Sequence, residues 1–226
     1  MKVIGHRGAA SLAPENSLAS LQAAINAGVD AIEFDVRVTA DHQLVLSHDN
    51  SLQRLFGINQ KISSCSLEQL KTFKSLAGEP LATLDQALIL AAETNLVIEG
   101  KDHGWAEPLA KTLKNHPNIK NITVISFNYL ELHQFNELYP ATRCFGLSHH
   151  SPLHVINAAR KYKFAGIDIF YLMLNPLVYY LARRHKLEII VYNVNQPWLA
   201  KLIKHFYPEV SITTDVPQKL QLLRSR

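Results

Sequence analysis

The feature that most constrains this chain is a change of period that repeats along its length. Short runs rich in Val, Ile and Phe lie at 3–6, 31–37, 96–101, 122–127, 142–147, 166–170, 187–194 and 210–214. Each gives way to a longer stretch with apolar residues three and four apart, at 16–27, 84–94, 106–115, 129–139, 152–162, 175–185, 197–206 and 216–224. A strand that feeds a helix and then another strand pairs in parallel, so the pattern predicts an α/β fold. Eight such units within 226 residues predict a (β/α)8 TIM barrel rather than the doubly wound open sheet that shares the alternation. Asn16 is placed to cap the first helix, Gly28 to close it, and Asp215 with Pro217 to start the last.

One stretch breaks the rhythm. After the second strand, 43–47 reads as a short extra strand behind the Ala40-Asp41-His42 turn, and residues 50–82 intervene before the next long helix. The expectation is one domain over 1–226 with an insertion at 50–82, containing a small helix at 67–73 capped by Ser66. Such a segment either covers the barrel mouth or decorates it.

Composition excludes several classes. With 47% hydrophobic and 19% charged residues the chain is globular. Its net charge of +4 and pI near 9.0 are carried by scattered basic residues, with no basic stripe for nucleic acid, and suit a small anionic ligand. No run of 18 apolar residues exists to cross a membrane, and the N-terminal apolar stretch is too short for a secretory leader. Cys65 and Cys144 have no metal-type spacing, so reduced thiols in the cytoplasm are expected. Oligomeric state leaves no mark in the sequence.

In a barrel the C-terminal ends of the strands converge on the site. Here those ends carry His6-Arg7, Glu33 and Asp35, His48-Asp49, and Glu99 with Lys101. Glu33 and Asp35, two apart, share one face of an otherwise apolar strand, and Glu99 ends another such strand. Three converging carboxylates need a cation. One reading is a hard divalent ion with oxygen ligands, Mg2+ or Ca2+, with Mn2+ also admissible. The bland one is a buried network with Arg7 and Lys101. His6 and His48 are the candidates for proton transfer. Arg7 and Lys101 would supply charge beside a phosphoryl group. A Schiff-base role for Lys101 is disfavoured, because neighbouring acids keep the amine protonated. Ser126-Phe127 and Tyr192 to Asn195 could line a pocket, and His149-His150 reads as surface.

These residues fall into a known order. His6-Arg7-Gly8, Pro14-Glu15-Asn16-Ser17, Glu33-Phe34-Asp35-Val36, Thr39-Ala40-Asp41, His48-Asp49 with Leu52 and Arg54, Glu99-Gly100-Lys101, Ser126-Phe127 and Thr214-Asp215-Val216-Pro217 span the chain. Together they resemble the glycerophosphodiester phosphodiesterases, a TIM-barrel family. The resemblance implies metal-dependent hydrolysis of a small glycerophosphodiester to glycerol 3-phosphate and an alcohol. It implies His6 and His48 as the acid–base pair, Glu33, Asp35 and Glu99 as metal ligands, and Arg7 and Lys101 as phosphate-binding bases. Glu15 would belong to the substrate-binding shell behind them.

The chain departs from the family pattern at His42, where Gly is usual, and at Gly100, where an apolar residue is usual. It also departs at Tyr192-Asn193, which stands for Trp-Thr, and around Pro208-Glu209-Val210. Two rival functions remain. A phospholipase D-like enzyme acting on lysophospholipid or sphingomyelin would need an apolar rim, for which the insertion offers Leu55, Phe56 and Ile58. A barrel that binds phosphodiesters without turnover is the other.

Overall fold

The computed structural model describes residues 1–101, 103–119 and 121–221. The chain opens with β1 (Val3–Gly5), α1 (Leu18–Asn26) and β2 (Ala31–Val38). β3 (Leu44–Leu46) follows, and then segment 50–82 with α2 (Gln53–Phe56), a 3-10 turn at Ile62–Ser64 and α3 (Leu67–Lys71). The alternation then resumes with α4 (Leu84–Leu90), β4 (Asn95–Gly100), α5 (Ala106–Asn115), β5 (Ile122–Ser126) and α6 (Tyr129–Leu138). It continues through β6 (Arg143–Ser148), α7 (Pro152–Tyr162), β7 (Gly166–Phe170), α8 (Pro176–Arg184) and β8 (Glu188–Tyr192). It ends with α9 (Pro197–Phe206), β9 (Ser211–Thr214) and α10 (Pro217–Leu220). The reading of a last helix reaching 224 extends beyond the described residues.

β1 pairs in parallel with both β9 and β2, and this closes eight parallel strands into a barrel. β3 lies outside the ring, antiparallel on β2. Four successive helices, α7 to α10, open with proline at the first position, where the missing N–H costs no hydrogen bond. Ser66 and Thr83 start α3 and α4 with reciprocal caps to Gln69 and Gln86.

Two packed layers result. Ile4, Ala31, Val97, Ile125, Phe145, Leu147 and Ile190 fill the lumen, while a larger apolar layer joins sheet and helices. Trp105, fully buried in that outer layer, lies where a side chain at position 100 would stand: a Cβ there would meet its ring at 2.3 Å. This is the physical reason for Gly100. The insertion has a small core of its own, built from Val45, Leu52, Phe56, Ile62, Cys65, Leu70 and Leu81. Leu55 and Ile58 pack on it and Phe56 is inside it, so these three form no exposed rim.

Two capping expectations are corrected. Ser17, not Asn16, caps α1, its hydroxyl accepting from the N–H of Ser20. Asn16 is buried in a left-handed conformation (φ 56°) and is turned toward β2. Val216, not Asp215, occupies the cap position of α10, and Asp215 faces the barrel mouth. Gly28 does adopt the left-handed conformation (φ 66°) expected beyond a helix end.

Candidate active site

Strand register builds the acidic cluster. Glu33 pairs with Val97 and Asp35 with Glu99, so Asp35 and Glu99 stand side by side with Glu33 one step deeper. One carboxylate oxygen from each lies within 4.8 Å of the other two. All three residues are buried. Burial, reinforced by the neighbouring Asp35, lifts Glu33 to about 7 and pushes Glu99 well above the usual carboxylate range. Asp35 resists its own burial and falls to about 2, because Lys101, Arg7 and the Asn16 amide all favour its charge. Asn16 holds it twice, donating from Nδ2 to Oδ2 at 2.8 Å and accepting from the Asp35 N–H at 3.0 Å.

The β1–α1 loop positions Arg7, and the end of β4 positions Lys101. Arg7 is left-handed (φ 50°), followed by Gly8 (φ 87°), where a Cβ would meet the Ser20 backbone at 2.5 Å. That turn aims the Arg7 N–H at Glu33 Oε2 (2.8 Å) and brings Nε to 3.4 Å from Asp35. Lys101 Nζ donates to Glu99 Oε1 at 2.7 Å and lies 3.4 Å from Asp35. The bases therefore sit against the acids, as both readings of the cluster require.

The two histidines are oriented alike. His6 Nδ1 lies 2.5 Å from Asp215 Oδ1, and His48 Nδ1 lies 2.9 Å from Asp49 Oδ1. In each, Nε2 is left for the cavity, that of His6 being 4.0 Å from Glu33. Burial works against a charged His6, but the Asp215 hydrogen bond and Glu33 outweigh it, so its proton is held above the ordinary imidazole value. Burial, with Lys101 and Arg7, holds His48 below it.

A further chain of charges joins these parts. Asp49 accepts from Arg54 Nε (2.5 Å), and Glu15 accepts from both Arg54 Nη2 (2.7 Å) and Arg7 Nη1 (2.8 Å). Glu15 thus stands behind Arg7. Arg37, buried in β2, donates through Nε (2.9 Å) and Nη2 (2.5 Å) to the carbonyl of His48. Asn193 and Asn195 both donate to Asp215, and Asn193 Nδ2 also lies 2.7 Å from His6 Nδ1.

His6, Arg7, Glu33, His48, Glu99 and Lys101 line one cavity of about 290 Å³. His149, exposed as expected of a surface residue, also reaches it, stacked on Phe170 with centroids 4.7 Å apart. The roles of Asp215 and Arg37 were not found by sequence reasoning. Asp215 has a signal in the sequence, its place in Thr214-Asp215-Val216-Pro217, but the same residues also fit the start of a helix.

The sequence model of the glycerophosphoryl diester phosphodiesterase family matches residues 6–219. The chain belongs to that family. This phosphodiesterase is similar to YhdW of Bacillus subtilis, with 28% identity over 96% of this chain and 95% of the relative. A glycerophosphodiester phosphodiesterase from Parabacteroides distasonis superposes with a TM-score of 0.85 at 30% identity, covering 98% of this chain and 95% of that one. A phosphodiesterase from Oleispira antarctica, solved with the product sn-glycerol-3-phosphate, superposes at 0.91 with 25% identity, covering 98% and 96%. The phosphodiesterase described here is accordingly a TIM-barrel hydrolase of glycerophosphodiesters. None of its described helices is long and apolar enough to cross a membrane.

Proposed function

We propose that this phosphodiesterase releases glycerol 3-phosphate and an alcohol, using a divalent cation held by Glu33, Asp35 and Glu99 and the histidines 6 and 48 for proton transfer. The observation that carries the reading is a cluster of three buried acids, two of them lining one cavity with two imidazoles, each imidazole anchored through Nδ1 by an aspartate.

The donor set fits a hard cation. Three carboxylates offer oxygen ligands only, and the upward push on Glu33 and Glu99 marks a cluster short of positive charge. Mg2+, Ca2+ or Mn2+ bound there would polarise a phosphoryl oxygen. The remaining work falls to the chain. One imidazole accepts, at Nε2, the proton of the attacking hydroxyl, whether of water or the substrate's own 2-hydroxyl. The other delivers a proton to the departing alkoxide. Arg7 and Lys101 offset charge gathering on the phosphoryl oxygens, and Glu15 holds the Arg7 guanidinium in place. Two buried, free cysteines suit a reducing compartment, and we place the enzyme in the cytoplasm.

The test is release of glycerol 3-phosphate from a panel of glycerophosphodiesters, with and without EDTA. Metal-dependent release is expected. Ligand binding with no turnover in Mg2+, Ca2+ or Mn2+ would instead support a non-catalytic barrel.

A second reading has its own observation. The mouth segments 127–130, 149–154, 171–178 and 193–199 contain no Asp, Glu, Lys or Arg. They expose Phe127, Leu130, Leu153, Leu172, Leu177 and Trp198. An uncharged apolar arc beside a phosphodiester site favours a lysophospholipid, its acyl chain on the arc. Comparing turnover of lysophosphatidylcholine with that of glycerophosphocholine separates the two.

A further inference from the structure

Two polar atoms in the floor of the catalytic cavity have no hydrogen-bond partner. Asp168 on β7 is 3% exposed and Thr213 on β9 is 2% exposed, and both line the cavity that holds His6, Glu33 and Glu99. Neither Asp168 Oδ1 nor Thr213 Oγ1 is paired. Buried polar atoms are nearly always satisfied, and leaving one unpaired is costly. Two in one cavity wall mark a place where something polar belongs.

Their position narrows what that is. Around the ring of eight parallel strands, β7 lies four places from β2 in either direction, so Asp168 faces Glu33 across the lumen. Arg7, Lys101 and the three clustered acids all follow or occupy β1, β2 and β4. The opposite wall presents Asp168, Thr213 and the half-buried Tyr192, which stands between them on β8. Burial and the facing Glu33 push the Asp168 carboxyl well above its usual range. The cationic side chains of the cavity, Arg7 and Lys101, stand on the other wall, where a phosphoryl group belongs, and a methyl group would leave both atoms unpaired. A hydroxyl both donates and accepts, so it can meet a carboxyl oxygen and a threonine hydroxyl together.

We propose that Asp168 and Thr213 form a subsite for an uncharged hydroxyl, the primary hydroxyl of the substrate's glyceryl group, while the phosphoryl group engages the opposite wall. The primary hydroxyl is the one farthest from phosphorus along the glyceryl chain. β7 and β9 stand about 10 Å apart across β8, a gap that admits one hydroxyl-bearing carbon between two side chains. The proposal rests on the reading of the site as one for glycerophosphodiesters. It adds the group by which the glyceryl end is told from another alcohol.

The experiment compares glycerophosphoethanolamine with the same diester built on propane-1,2-diol, which lacks only the primary hydroxyl. The wild-type enzyme is expected to favour the glyceryl substrate by roughly tenfold or more in kcat/KM. Asp168→Leu and Thr213→Val should each shrink that ratio toward one. Asp168→Asn, which keeps a side-chain oxygen able to accept, should retain most of it. Calorimetric binding of glycerol 3-phosphate against propane-1,2-diol 1-phosphate reads the same preference without turnover. Should Asp168→Leu not fold, Thr213→Val decides. A wild-type ratio of one, or a ratio untouched by Thr213→Val, overturns the subsite. So does loss of Mn2+ binding in Asp168→Asn or Asp168→Leu, which would make Asp168 a cation ligand instead. Absence of all glycerophosphodiester turnover in the wild-type enzyme would sink the functional reading, with the binding comparison still reporting on the subsite.

Discussion

Nδ1 of His6 lies 2.5 Å from Oδ1 of Asp215, a contact that joins the first strand end to the last across 209 positions. The carboxylate fixes which ring nitrogen faces the cavity, as the second partner of a working imidazole commonly does. Asp215 touches no reacting atom in the proposed mechanism. It is a positioning residue. Asp215→Asn should therefore lower kcat by roughly 10²-fold while KM moves only a few-fold. Steady-state kinetics with Mn2+ titration checks this. A change in KM or metal affinity alone would show a different role.

Glu99 and Asp35 stand in register on neighbouring strands, so removing one charge should weaken cation binding and relieve the other acid. Glu99→Gln should require at least tenfold more Mg2+ or Mn2+ for half-maximal activity. Its activity at saturating metal should be less affected than that of His6→Ala or His48→Ala, each of which should abolish turnover with the fold intact. Activity against metal concentration, with circular dichroism of each variant, provides the measurement.

Arg54 ties the insertion to the site through Glu15 and Asp49. Both acids resist burial and are held below their ordinary values, 4.5 and 3.8, mainly by hydrogen bonds from Arg54. Acids lowered in this way favour the closed arrangement above those ordinary values and lose that contribution as pH falls through the native ones. Protection factors in segment 50–82, corrected for the intrinsic pH dependence of amide exchange, should therefore fall as the pH drops below 4.5. In Arg54→Met the segment should already exchange quickly at pH 6 and respond less to acid. Equal protection in both proteins would show that the contact does not hold the insertion.

His42 occupies a left-handed position (φ 57°) in the turn before β3, where a side chain is strained. His42→Gly should stabilise the protein by about 0.5–1 kcal/mol, the relief of strain exceeding the entropy that glycine adds to the unfolded chain. That corresponds to a rise in Tm of about 2 °C with activity unchanged. Differential scanning fluorimetry reads it directly.

The barrel was legible because apolar period is a local property, written afresh in each of eight units. Glu33, Asp35 and Glu99 were legible because carboxylates in apolar strands are costly unless compensated. His42 and Gly100 appeared as departures from the family pattern, and only packing gives them a reason: a turn that needs positive φ, and the Trp105 ring against β4. Asp215 and Asn16 were misread for another cause. Each sits where a helix cap is expected and has the right chemistry for it, so local rules assigned a local role. Their actual partners, His6 and Asp35, are set by barrel closure and by the β1–α1 turn, which no window of sequence contains.

The mouth of this barrel is divided. Formal charges gather on the side of β1, β2, β4 and the insertion, while the loops leading into α6, α7, α8 and α9 carry exposed aliphatic and aromatic side chains. Such a separation makes the molecule modular in a practical sense. The three uncharged loops leading into α6, α7 and α8 could be exchanged or redesigned to alter which alcohol is accepted, whereas the loop into α9 must keep Asn193 and Asn195 on Asp215.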